Sequence, residues 1–183
     1  MRGAVASSQP ESEVAVSLDV RMEEVPESEL PPVEYRWDAD TDILCAVLRP
    51  VGVSEGVSGS MDIEGADGAW LTLELSAGRL AAIEVAVWPD VQTVDPLTPP
   101  VPVGSARLRV PSSGTEATVE ALEVDTPIRA VADKAERTIH FRIGPQRSSR
   151  ALRVARDLLV EVDSRSRIAG LWFLNVPPSP TAP

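Results

Sequence analysis

Three aspartates at alternate positions, Asp38, Asp40 and Asp42, have the opening spacing of a calcium loop, in which alternate carboxylates point at one ion. Such a loop needs glycine at its sixth position and glutamate at its twelfth, and Ile43 and Arg49 stand there. The spacing therefore predicts a solvated turn and no metal. Glu84 sits among Ile83, Val85, Val87 and Trp88, where a carboxylate must pair, carry a raised pKa or face solvent. The expectation is a wet face shared with Ala86 and Trp88; the functional alternative is an arginine partner. His140, the sole histidine, lies beside Phe141 and reads as a packing residue. A serine–histidine–carboxylate arrangement would need an activating pair that sequence does not show. Cys45, in an apolar run, reads as a small buried hydrophobe rather than a nucleophile.

No Gly-x-Ser-x-Gly, phosphate loop, Cys-x-x-Cys or His-x-x-His pattern occurs, so an enzyme of a common mechanism is not expected. The residues better suited to binding are Trp88, Trp172 and the arginines at 142, 147, 150, 153 and 156. Tryptophan is amphipathic and enriched at binding hot spots, and guanidinium takes a carboxylate bidentately. Trp88, before Pro89 at a strand end, is the tryptophan expected to be exposed. The candidate binding set is Trp88, Glu84, Arg142, Arg150, Arg153 and Trp172. The imagined mode is an extended peptide added to a sheet edge, with arginines as a basic rim and Trp172 as anchor. The competing account is that these arginines offset the acidic N-terminal segment within the same molecule.

The net charge of −11 argues against nucleic acid, which needs an excess of Lys and Arg. One cysteine in 183 residues permits no intrachain disulfide. The N-terminus lacks the apolar run of a signal peptide, and no stretch approaches the length of a membrane span. Cytoplasm is the default, with no membrane partner and no cofactor implied.

The elements that must position these residues are strands. Val14, Val16, Leu18, Val20 and Met22 alternate with polar or small residues, which is period two. Val33 to Trp37 and Ile43 to Leu48 flank the aspartate turn as a hairpin. Residues 50–60, with three glycines and three serines, read as a loop. Trp70 to Leu75 and Leu80 to Trp88 are strands around the Ser76-Ala77-Gly78 turn. The second half repeats that order. Val119 to Val124 is a strand, and Ile128 to Ala132 with Thr138 to Ile143 is a hairpin with Asp133 under Asp38. Leu158, Val160 and Val162 stand under Leu71, Leu73 and Leu75, and Ile168 under Leu80. Glu116–Leu122 and Ile128–Glu136 could pass for helix, but β-branched content and the match to the first half favour strand.

The expectation is a mainly β protein: two pseudo-symmetric antiparallel β modules packed as one sandwich or distorted barrel. The modules span 13–95 and 105–177, joined by a proline-rich linker at 96–104, with disordered tails at 1–12 and 178–183. A twofold dimer is expected through the strand at 80–88 or through Leu171 to Leu174.

The opening Trp37-Asp38-Ala39-Asp40-Thr41-Asp42-Ile43-Leu44 and the closing Gly78-Arg79-Leu80-Ala81-Ala82-Ile83-Glu84-Val85 resemble a short prokaryotic family, domain of unknown function 2283. The likeness covers residues 35–89, with Ala82 where the family has glycine. The second half is a degenerate copy, keeping Gly170 but with Trp172 in place of the glutamate and Arg137 in place of the second aspartate. The resemblance implies a compact β-rich unit and carries no activity. The leading function is a non-catalytic binding or accessory protein holding a peptide, a protein partner or a small pathway intermediate. The alternatives are a β-barrel cyclase or isomerase using Glu84, His140 or an aspartate of 38–42, and an antitoxin-like or structural interaction protein.

Overall fold

The structure, a computed structural model, describes residues 20–49, 58–109 and 118–180, with 118–125 in backbone alone. The predicted tail at 1–12 and the alternating residues 14–19 lie outside that range. In chain order the strands are β1 (Arg21–Glu24), β2 (Val33–Asp38), β3 (Ile43–Leu48), β4 (Ser58–Glu64), β5 (Trp70–Ser76), β6 (Arg79–Val87) and β7 (Val91–Thr93). They continue as β8 (Ala106–Arg109), β9 (Thr118–Asp125), β10 (Ile128–Ala132), β11 (Ile139–Ile143), β12 (Ser149–Ala155), β13 (Leu158–Asp163) and β14 (Ile168–Phe173). Among the described residues, no helix is long and apolar enough to cross a membrane.

Two-residue alternation decides which side of each strand is dry. Leu44, Ala46 and Leu48 on β3 and Leu71, Leu73 and Leu75 on β5 are at most 5% exposed, while the residues between them reach solvent. Successive side chains of an extended chain point to opposite faces, so each strand gives one face to the interior. The first sheet holds eight strands, with β6 joined to β5 on one side and to β3 and β8 on the other. The second holds six, in the order β12-β13-β14-β11-β10-β7. Their inner faces share one core, with Leu44, Leu73 and Ile83 from the first sheet and Phe141, Val160 and Phe173 from the second. This is an open β sandwich.

Each sheet contains the same five-strand unit. The order β2-β3-β6-β5-β4 in the first sheet corresponds strand for strand to β10-β11-β14-β13-β12 in the second. The registers agree as well. Leu44 faces Val85 as Ile139 faces Phe173, and Cys45 faces Glu84 as His140 faces Trp172. The pairing slips at the same place in both: Glu74 faces Ala82 before Leu75 faces Leu80, and Glu161 faces Gly170 before Val162 faces Ile168. Shared register on this scale makes the core faces of the two units equivalent, because a one-residue shift would turn every side chain over.

The sheets do not divide the chain at the proline-rich segment. β7, from the first half, lies parallel to β10 in the second sheet. β8 and β9, from the second half, join the first sheet, β8 against β1 and β9 parallel to β4. Residues 58–60, read from composition as loop, open β4; their glycine and serines sit at the strand's half-exposed end. The strands offered as dimer interfaces, β6 and β14, are both interior to their sheets, so neither presents an unpaired edge.

An aromatic seam runs between the two sheets. Trp37 stacks on Trp88 at 5.7 Å, Trp88 meets Phe141 at 5.6 Å, and Phe141 meets Phe173 at 5.4 Å. The polar atoms of the seam are satisfied across it. Tyr35 Oη donates to the Asp157 carbonyl at 2.7 Å, and Trp37 Nε1 donates to that of Pro177 at 2.9 Å. Burial pushes the Tyr35 phenol well above its ordinary pKa.

Candidate functional site

Alternation along β11 sends Ile139, Phe141 and Ile143 into the core and His140 and Arg142 to the outer face. On the neighbouring β14, Trp172 lies opposite His140 and Gly170 opposite Arg142. The imidazole stacks on the indole with centroids 4.1 Å apart and planes 12° from parallel. Glu161 of β13 completes the group: its carboxylate accepts Trp172 Nε1–H at 2.8 Å and the Ser149 hydroxyl at 3.2 Å. His140 Nε2 lies 3.8 Å from Glu161 Oε2, an ion-pair contact beyond hydrogen-bond reach. The adjacent imidazole holds the Glu161 carboxyl below its ordinary pKa; burial opposes this, and the indole N–H and serine hydroxyl reinforce it.

Gly170 leaves the room this group needs. A Cβ there would stand 2.8 Å from His140 Nε2, 2.9 Å from the Phe141 carbonyl and 3.0 Å from Glu161 Oε2. The matching residue in the first sheet is Ala82, flanked by Val47 and Glu74, where a methyl group is accommodated. Gly170→Ala should therefore destabilise the protein by about 1–3 kcal/mol through overpacking against backbone. Chemical denaturation of the variant checks this, and unchanged stability would mean the site is looser than the structure shows.

Beside this group lies a cleft of about 400 Å³, within the usual range for small-ligand sites. Its floor is Arg129 and Val131 of β10 with His140 and Arg142 of β11, and its walls bring in Gln92, Asp90 and Asp67. Arg129 and Arg142 are directly opposed across the β10–β11 ladder. Their Cβ atoms are then about 5 Å apart on one face, an arrangement that is destabilising for like charges. Among the described residues neither has a carboxylate partner, and Arg142 Nε and His140 Nε2 are buried without a hydrogen-bond acceptor.

The six expected binding residues do not converge. Arg142 lines the cleft. Trp172 is 6% exposed beneath His140 and serves as its platform rather than as a free anchor. Trp88, expected to be exposed, is half-buried between Trp37 and Phe141 and donates to the Asp42 carbonyl at 2.8 Å; the next residue, Pro89, is buried and the chain crosses to the second sheet at β7. Glu84 is half-exposed on the outer face of the first sheet, between Cys45 and Thr72. Arg150 and Arg153 pair with Val162 and Leu159, residues of opposite parity on β13, so their side chains leave β12 on opposite faces. Arg153 contacts Glu27 at 3.5 Å, and Arg107 and Arg109 pair with Glu29 and Glu23. The intramolecular account thus holds for Arg153. The β12 edge is also occupied, since Val103 N–H donates to the Ala151 carbonyl and Arg153 N–H to that of Gly104, each at 2.9 Å.

In the aspartate turn, Asp38 Oδ1 accepts the Asp40 N–H at 2.9 Å, and Asp133 accepts the N–H groups of Arg137 and Thr138 in the matching turn. Cys45 is half-buried, and burial and then Glu84 raise its thiol pKa, which is the opposite of activation. Sequence reading missed Arg129, Gly170 and Glu161. The hairpin it drew around Asp133 already places Arg129 against Arg142, so that pair was within its reach. No family model matches the chain, and no curated protein matches it.

Proposed function

We propose that this chain is a non-catalytic binding protein that holds a carboxylate-bearing ligand, a short peptide or a small intermediate, in the cleft of the second sheet. The observation that supports it is the cross-strand pair Arg129–Arg142, which has no counter-ion among the described residues. Two opposed guanidinium groups become favourable once a carboxylate bridges them. On the equivalent surface of the first unit, Glu34 and Val47 stand opposite each other in place of the two arginines. We read the two units as a duplication in which one copy acquired a site, and the likeness to domain of unknown function 2283 as belonging to the other.

Ligand binding to the folded state raises stability by mass action, about 2.7 kcal/mol at a hundredfold excess over Kd. Thermal unfolding with acetate, succinate and citrate should show stabilisation beyond that of matched sodium chloride, and Arg142→Ala should remove it. Equal shifts in the wild type and the variant would sink the proposal. A second reading has one observation of its own: His140 lines the same cleft with Glu161 beside it, a pairing suited to proton transfer. Under that reading His140→Gln would keep carboxylate binding and lose turnover of the bound compound.

A further inference from the structure

The charges of the cleft are balanced, and this says more about the ligand than the arginines do. Arg129 and Arg142 stand on the sheet, while Asp90 enters from the segment after β6 and Asp67 from the β4–β5 turn. Among the described residues no arginine of the cleft comes within ion-pair distance of either aspartate. Asp67 turns one oxygen toward the Ala69 N–H at 3.3 Å, so Asp90 is the less committed carboxylate. Opposite charges lining a small cleft without touching leave the space between them to a ligand. Such a site takes a simple anion less tightly than a zwitterion, because the anion meets Asp90 as well as the arginines, and it is no better matched to a simple cation.

We propose that the ligand is a zwitterion with separated charges, a short peptide with free termini, its carboxylate on Arg129 and Arg142 and its ammonium toward Asp90. This rests on the carboxylate reading above and narrows it. Gln92, beside Asp90 on the same wall, offers an amide to the peptide backbone between the two ends.

Calorimetry on the full chain with four probes tests it: triglycine, N-acetyl-triglycine, triglycinamide and acetate. Triglycine should bind at least tenfold more tightly than either blocked form. Asp90→Asn should bring triglycine down to the affinity of N-acetyl-triglycine and leave the latter unchanged or tighter. Arg142→Ala should weaken both. Equal binding of triglycine and N-acetyl-triglycine would overturn the zwitterion and leave the carboxylate reading standing. Triglycinamide binding most tightly, or no probe binding at all, would overturn both. Melting temperatures of the two variants without ligand that are no lower than the wild type's show that loss of folding is not the cause.

Discussion

Expressed alone, residues 105–183 are expected to show no cooperative thermal transition. The fragment keeps the five-strand unit β10–β14 but loses β7 from its edge and the whole partner face of its core. Phe141 and Phe173 would lose Trp88 and Tyr35, their aromatic neighbours from the other sheet, and β8 and β9 would have no sheet to join. A single five-stranded sheet with one bare apolar face has nothing to bury it against. Scanning calorimetry on the fragment checks this. A sharp transition with calorimetric and van't Hoff enthalpies in agreement would show an autonomous domain and refute the shared core.

Asp163→Ala should be the most damaging single substitution of a charged residue among those described. Asp163 ends β13 with its side chain 4% exposed. It accepts the Arg165 and Arg167 N–H groups at 2.8 and 3.0 Å, and the Arg147 and Arg167 guanidinium groups approach it at 3.0 and 2.8 Å. Burial alone would raise its pKa; the Arg167 and Arg165 contacts outweigh that and hold the carboxyl below its ordinary 3.8. Removing it leaves Arg147 with carbonyl acceptors alone and unties the 163–167 turn, at a cost of about 2–3 kcal/mol, less than for a fully buried pair because both guanidinium groups reach solvent. The pH dependence has a definite sign. A carboxyl with a depressed native pKa contributes its full stability above pH 3.8 and loses it as pH falls through the native value. The stability gap between wild type and variant, from denaturant titrations at pH 7 and near pH 2, should therefore shrink at the acid end. A constant gap would show that the charge contributes nothing.

The strands were legible wherever one face is dry. Leu71, Leu73 and Leu75 announce β5, and the repeat of that spacing at Leu158, Val160 and Val162 announces β13. The offsets read from sequence between the halves are those the ladders keep. What alternation does not encode is which sheet a short strand joins. Val91–Thr93 and Ala106–Arg109 have too few residues for a pattern, and their placement is set by neighbours far along the chain. The cleft was hidden for a related reason. It is assembled from the β7–β10 and β10–β11 ladders with Asp67 and Asp90 from loops, and Glu161 and Gly170 reach His140 only once β14 pairs with β11 and β13 with β14. Trp88 was misjudged because a proline after a tryptophan reads locally as a strand end, whereas its surroundings come from Trp37 and Phe141.

The exchange of strands between the sheets also sets a timetable during synthesis. The first five-strand unit is complete on emergence of Val87, yet β4 keeps an open edge until β9 follows it out of the ribosome. At about 5–20 residues per second, that edge waits roughly two to eight seconds. In that window Ser58–Glu64 is the exposed pairing template, and nascent chains on one messenger are each other's nearest candidates to fill it. Slowing translation between Val87 and Asp125 lengthens the wait, so synonymous codon changes there should lower the soluble yield while leaving the purified protein unaltered.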